Sequence, residues 1–327
     1  MNDHSAPELS VILLTPDRYE TVRKTMKYLR AQTVRQLLEI VVVAPSASEL
    51  ELDEEETKGF NGFRVVEVGK MSFSVKAKAA GVYEARSPLV AFVEDHAYPE
   101  AGWAEALIRA HREGWTAVGP VVCNANPRGI VSWATYLTAY GRWGEPAVAG
   151  EVDDLPGQKG SYRRSALMSY GSELEEMIEV PTILHWDLRA RGHGLYWEPS
   201  ARIHHLHPSL LSSYVQEQFH ASRLFAAARA HYGRWSWSRR LLYTARASLI
   251  PLVRLWRALR QIHRRGRSRE LLPRILPVLF VGTSVEGAGE MVGYALGAGD
   301  APRRIFYFEF HRHRHLTDED RQAEDRR

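Results

Sequence analysis

Short apolar runs alternate with segments of helical period along the first third of the chain. Residues 9–14, 39–44, 63–68, 89–93 and 116–122 read as strands, the second rich in β-branched residues. Near-continuous apolar runs suit strands covered on both faces. Between them Tyr19, Val22, Met26 and Leu29 recur at helical spacing, residues 73–85 make a helix of small side chains, and residues 99–111 make another around Trp103. Alternating strands and helices with short connections predict an α/β fold, a Rossmann-like, mostly parallel sheet with flanking helices. The acidic stretch 46–58 reads as a solvated loop or helix face.

The rhythm breaks after Val122. Trp133, Tyr136 and Tyr140 share one helix face, and Gly157-Gln-Lys-Gly-Ser-Tyr-Arg-Arg164 reads as a turn entering a strand. Residues 172–179 and 183–190 are helical, with Gly192 as the stop. Short strands at 195–197 and 201–203 flank Pro199. From residue 210 onward the chain turns helical, aromatic and basic. Leu242, Leu249, Val253 and Trp256 line one face with Arg246 and Arg260 close by, and Pro251 predicts a kink. Residues 275–285 are apolar and uncharged, a run short of the ~20 residues that a spanning helix needs. The expected organisation is a flexible N-terminus (1–8), an α/β domain (9–209), a basic amphipathic and apolar helical region (210–300) lying in a membrane interface, and a charged tail (301–327) frayed at its end.

Composition refines this picture. With 327 residues, 45% hydrophobic and 25% charged, the chain can bury a sizeable core. The single cysteine, Cys123, excludes an internal disulfide and fits a reducing compartment. Residues 1–8 have neither a basic nor an apolar region, so no secretory signal is expected there. A net charge of +4 hides an asymmetry: residues 223–274 carry fourteen arginines and one acid, Glu270. Such a block points to an anionic partner. No nucleic-acid-binding module accompanies it, which ranks nucleic acid below an anionic membrane surface.

The densest candidate chemistry follows the run Leu89–Val93, which ends in Glu94-Asp95-His96. Ligands of open parallel sheets collect at the carboxyl ends of the strands. Two carboxylates and an imidazole delivered there suit a divalent metal, Mn²⁺ or Mg²⁺, held against a diphosphate, and the imidazole tilts the choice towards Mn²⁺. The competing expectation is that Glu94 and Asp95 cap the helix at 99–111.

Four landmarks in order, over residues 10–207, resemble family 2 glycosyltransferases, which use a GT-A fold and a nucleotide-diphosphate sugar. Ser10-Val-Ile-Leu-Leu-Thr-Pro-Asp-Arg18 is similar to the first strand and its nucleotide loop. Glu94-Asp95-His96 stands where that family has Asp-x-Asp, and residues 157–164 are similar to its acceptor-side Gly-x-Asn-x-x-x-Arg-Arg. Gly192-His-Gly-Leu-Tyr-Trp-Glu-Pro199, with Ala201 and His205, matches its closing pattern. The resemblance implies a nucleotide-sugar donor over Thr15 and Pro16, with Asp17 either near the base or capping the first helix. It implies Glu94 and Asp95 on the donor; by their charge Lys78, Arg163 and Arg164 suit the phosphates. The implied metal ligands are Asp95, with His96 or Glu94, and His205. The implied base is Glu179, preferred to Asp187.

The departures are specific. No acid closes the second strand at Val43-Ala-Pro-Ser-Ala47, no asparagine lies in Ala77-Lys-Ala-Ala-Gly81, and the Glu-Asp pair expected before the closing segment is replaced by Glu179-Val-Pro-Thr-Ile-Leu-His-Trp-Asp187. The implied activity is inverting sugar transfer to a lipid-linked or polysaccharide acceptor of the cell envelope, on the cytoplasmic face of the inner membrane. The alternative is a degenerate, non-catalytic domain serving as a membrane-bound assembly partner.

Overall fold

The computed structural model of the chain describes residues 6–16, 19–50, 54–71 and 73–326. In chain order its elements are β1 (Leu9–Leu14), α1 (Glu20–Arg30), β2 (Leu38–Ala44), β3 (Gly62–Glu67), α2 (Ser74–Glu84), β4 (Leu89–Val93), β5 (Ala97–Pro99), α3 (Trp103–Arg112), β6 (Ala117–Asn124) and α4 (Ile130–Ala139). There follow β7 (Gly150–Glu151), β8 (Ser161–Arg163), α5 (Arg164–Met168), α6 (Leu174–Glu179), α7 (Pro181–Ala190) and β9 (Leu195–His205). The rest is helical: α8 (Leu211–Tyr232), α9 (Trp237–Arg246), α10 (Ile250–Arg264), α11 (Ser268–Leu296), α12 (Ala301–Phe310) and α13 (Asp318–Asp325).

The chain divides into two units, interleaved in sequence. The first, Met1–Cys123 with Ala147–His205, holds the sheet. Its strand order is β3-β2-β1-β4-β8-β6-β9-β5, with β7 on β9. The block β3-β2-β1-β4 is parallel, and β8 pairs antiparallel with both β4 and β6. Every residue of β1, β2 and β4 is buried, as the apolar runs require. α2 lies close on this block because residue 81 is glycine: a Cβ there would meet Ile12 Cγ2 at 2.6 Å and Val43 Cγ2 at 3.2 Å.

Two sequence expectations change here. Residues 97–99 form the strand β5, and the next helix starts only at Trp103 after Gly102, so Glu94 and Asp95 do not cap it. The segments around Pro199 are one continuous strand, β9, tolerating the proline within its eleven residues.

The second unit, Asn124–Pro146 with Leu206–Arg327, is helical. α11 is its central helix and packs on α8, where glycine allows backbone to meet backbone. A Cβ at Gly289 would lie 2.4 Å from the carbonyl oxygen of Phe219, and one at Gly293 2.3 Å from that of Arg223. Arg254 of α10 donates to Glu286 at 2.5 Å and Glu290 at 2.6 Å, pairing the buried acids of α11. The expected boundary at residue 209 therefore differs from the structural one. Residues 124–146 group with the C-terminal helices because the apolar face of α4 packs against α10 and α11.

The expected frayed tail is folded as well. Arg312 is buried and donates to Glu217 at 3.1 Å, and Thr317 caps α13. Pro251 lies in the first turn of α10, where its missing N–H is no loss, directly after the one-turn segment 247–249 that separates α9 from α10.

Candidate functional site

β2, β1 and β4 run parallel, so their carboxyl ends share one edge of the sheet. β4 delivers Glu94, Asp95 and His96 to that edge. The turn is held from α1, whose Thr25 hydroxyl donates to the Asp95 carbonyl at 2.9 Å, and it closes where the Ala97 N–H donates to the Glu94 carbonyl at 3.1 Å. β5 then pairs antiparallel with β9, setting Ala97 opposite His205. This register brings the His205 ring to within 4.8 Å of the His96 ring, centroid to centroid. Side chains alternate along a strand, and His204 accordingly meets Glu100 at 2.8 Å beside Arg202, apart from the cluster.

Glu94 Oε2 is the common partner. His205 Nε2 lies 3.1 Å from it and His96 Nε2 3.5 Å, while the ammonium of Lys159 donates to the same oxygen. Asp95 Oδ1 bonds His96 Nδ1 at 2.5 Å. A carboxylate there holds the proton on Nδ1 and leaves the Nε2 lone pair for the cluster. Glu94, His96 and His205 each offer an atom within 4.8 Å of the others, a donor set of one oxygen and two nitrogens. That set fits Mn²⁺ better than Mg²⁺, which demands oxygen ligands. Asp95 bonds His96 Nδ1 and is not in this candidate group, whereas the expected set was Asp95, His96 and His205.

Lys159 was not singled out by the sequence. It is fully buried on the short turn Gly157–Lys159, directly before β8. Its only signal is a lysine between glycines in Gly157-Gln-Lys-Gly160, and its partner is 65 residues away. Lys78 of α2 is buried and donates to Gln158 on the same turn.

Arg163 and Arg164 lie elsewhere. β8 opposes β4 with Ser161 at Ala91 and Arg163 at Leu89, so Arg163 is level with the amino end of β4. Glu94 is five residues further along, roughly 16 Å away at strand rise. Arg163 donates to the carbonyls of Trp115 at 3.1 Å and His111 at 2.7 Å, and Arg164 to those of Val82 at 2.9 Å and Tyr83 at 2.7 Å. Both guanidiniums thus serve backbone carbonyls, against the expectation that they face phosphate.

Thr15 is buried at the carboxyl end of β1, its N–H donating to the Val43 carbonyl at 3.0 Å, with Pro16 beside it on the same edge. Asp17 lies outside the described residues. Glu179 ends α6, where burial and then Glu176 raise its carboxyl above the ordinary range. Asp187 of α7 accepts from the Tyr170 hydroxyl at 2.7 Å and from Arg191 at 2.5 Å.

No protein-family model and no curated protein matches the chain. Among solved structures, GalNAc-T7 with UDP, GalNAc and Mn²⁺ aligns with 63% of this chain at 16% identity and a TM-score of 0.48; the chain spans 44% of that protein. S. aureus TarS residues 1–349, solved with UDP and without, aligns over 90% of both chains at 14% and 15% identity, with a TM-score of 0.46 each time.

Proposed function

We propose that the chain is an inverting glycosyltransferase that moves a sugar from a nucleotide-diphosphate donor to a lipid-linked or polysaccharide acceptor at the cytoplasmic face of the inner membrane. The observation that carries the reading is the convergence of Glu94, His96, His205 and Lys159 at the carboxyl edge of a parallel sheet, the position at which such sheets bind nucleotides. The four ordered sequence landmarks supply the reaction class, and three of them, through Glu94 and His96, Lys159 and His205, meet in this cluster.

Sugar transfer with inversion needs charge on the departing diphosphate, a donor held in line, and a base for the acceptor hydroxyl. Glu94, His96 and His205 would hold a divalent cation, which supplies positive charge to the diphosphate. Lys159 and Lys78 bring two further positive charges to the turn 157–159. Thr15 and Pro16 offer a floor for the nucleotide. Glu179 is the better base: its raised pKa brings it nearer working pH, whereas Asp187 is already engaged by Tyr170 and Arg191.

The experiment is donor turnover by purified protein with Mn²⁺ over a panel of UDP-, GDP- and dTDP-sugars, with Glu94→Ala and Glu179→Gln alongside. Metal-dependent hydrolysis or transfer from one donor, lost in Glu94→Ala, supports the reading. Donor binding with no turnover on any lipid-linked or polysaccharide acceptor would replace it with the assembly-partner reading. That second reading draws on Lys159, an internal cation already seated on the carboxylate that a metal would use.

A further inference from the structure

α9 and α10 each expose large apolar side chains edged by arginine. On α10 and the turn before it, Leu249, Leu252, Val253 and Trp256 recur at three- and four-residue spacing. That spacing places them on one face, and Leu252 is 65% and Trp256 58% exposed. The opposite face of α10 holds Arg254, Ala258 and Ile262, the first paired with Glu286 and Glu290 and the other two buried. α9 repeats the arrangement. Trp237 and Leu241, four residues apart, are 64% and 58% exposed, while Tyr243 turns inward onto Trp235 and Tyr294.

Arginine flanks these side chains. Arg239, Arg246, Arg257, Arg260 and Arg264 are all exposed, and no acid occurs between residues 223 and 269. The Arg260 guanidinium sits 5.5 Å from the Trp256 ring centroid, and that of Arg246 5.6 Å from the Tyr243 ring centroid. We infer that the α9–α10 surface docks flat on an anionic lipid bilayer, with Trp237, Leu241, Leu252 and Trp256 entering the headgroup–acyl boundary and the arginines meeting lipid phosphate. This inference rests on the membrane placement proposed above and is independent of the transfer chemistry.

Charge and length select the occupant. A second copy of the chain seated on this surface would set arginine against arginine. Nucleic acid would satisfy the arginines and leave the Leu and Trp side chains in water. An anionic bilayer satisfies both, which is the pattern of an interfacial helix. The helical run 237–264 carries seven arginines, which bars it from crossing a bilayer and leaves its length to lie along one. α11 has the length to cross, but its second half carries the buried Glu286 and Glu290 and backs onto α8 through Gly289 and Gly293. It serves as the core helix of the unit.

The test is co-sedimentation of the full chain with phosphatidylcholine vesicles, with and without about 30 mol % phosphatidylglycerol, near 0.1 M salt. Wild type is expected to bind the anionic vesicles only, with a blue shift of tryptophan emission. The pair Leu252→Ser and Trp256→Ser should weaken binding by about tenfold or more, since each loses apolar burial. Arg257→Glu with Arg260→Glu should abolish the preference for phosphatidylglycerol. All four positions face solvent, so unchanged circular dichroism and melting are expected and confirm the fold of each variant. Glu94→Ala should bind vesicles like wild type, which keeps failure of the catalytic reading distinct. No binding to anionic vesicles, binding indifferent to the Leu252 and Trp256 changes, or a solution dimer that Trp256→Ser breaks would each overturn the inference.

Discussion

Lys159 donates to the same oxygen of Glu94 that His205 approaches to 3.1 Å, so a buried ammonium and a candidate metal ligand share one acceptor. Removing one partner of a buried ion pair strands the other's charge, at about 3–5 kcal/mol. Lys159→Met should therefore lower the unfolding free energy by that order in metal-free buffer. Mn²⁺ should restore more stability to the variant than to wild type, because it neutralises Glu94 without displacing a resident cation. Thermal melts with and without Mn²⁺ check this, and equal Mn²⁺ shifts in both proteins would refute it.

Asp95 and Glu94 should separate in a metal titration. Glu94→Ala removes a ligand and should abolish Mn²⁺ binding. Asp95→Asn removes only the carboxylate behind His96 Nδ1 and should weaken binding about 10–100-fold, the usual cost of an outer partner. Calorimetry or the Mn²⁺ paramagnetic signal reads both. A complete loss in Asp95→Asn with a mild loss in Glu94→Ala would restore Asp95 as the ligand.

Glu179→Gln should cut transfer by about 10²–10⁴-fold with donor KM little changed, the range for loss of a general base. Asp187→Asn should mainly lower the melting temperature, since it weakens contacts to Tyr170 and Arg191. Steady-state kinetics on both variants decide the assignment. The opposite pattern would move the base to α7.

Arg163→Ala should destabilise the fold by about 1–3 kcal/mol by stripping donors from the carbonyls of Trp115 and His111. Its donor KM should match wild type within about twofold. A large rise in KM with unchanged stability would return Arg163 to the phosphates.

His111 gives the fold an acid-sensitive limb. Burial, with Arg163 nearby, lowers its pKa to about 4 from an ordinary 6.5. Its Nδ1 meets the Trp115 carbonyl and its Nε2 the Ser161 hydroxyl, each at 2.9 Å, an arrangement suited to neutral imidazole. The folded state thus binds this proton less readily than the unfolded chain. The stability contribution is complete above pH 6.5 and is lost as the pH falls through about 4. A shift of that size amounts to about 3 kcal/mol. His315 in the helical unit, also lowered to about 4, acts in the same window. Denaturant unfolding from pH 7 to 4 should show the loss, reduced by about 3 kcal/mol in His111→Gln.

The fold was largely written in hydrophobic pattern. β1 and β4 fall on the residues that the apolar runs marked, and β2 within one residue, because a strand buried on both faces leaves a continuous signature. The site was legible in part. Glu94 and His96 announced themselves as polar residues ending an apolar strand. His205 stood out only through the closing pattern of the resemblance, and its meeting with His96 follows from the β5–β9 register, which is a long-range pairing. Arg163 and Arg164 misled because a cationic side chain in the segment 157–164 says nothing of which end of β4 it reaches; the antiparallel direction of β8 decides that. Lys159 carried too little local signal to stand out. Exposure of the apolar side chains of α9 and α10 was equally invisible, since an apolar helix face reads the same whether it meets a core or a lipid.

Because the two units are interleaved, the order of synthesis matters. α4 leaves the ribosome at Ile130–Ala139, yet α11, against which it packs, begins only at Ser268. At ~5–20 residues per second, its apolar face, with Trp133, Tyr136 and Leu137, waits on the order of ten seconds for a partner. The nascent chain must therefore carry a sticky helix through the whole interval in which β7 to β9 complete the sheet. A fragment stopped at residue 205 would never resolve that debt, and chaperone dependence during translation should be a property of the intact gene product as much as of any truncation.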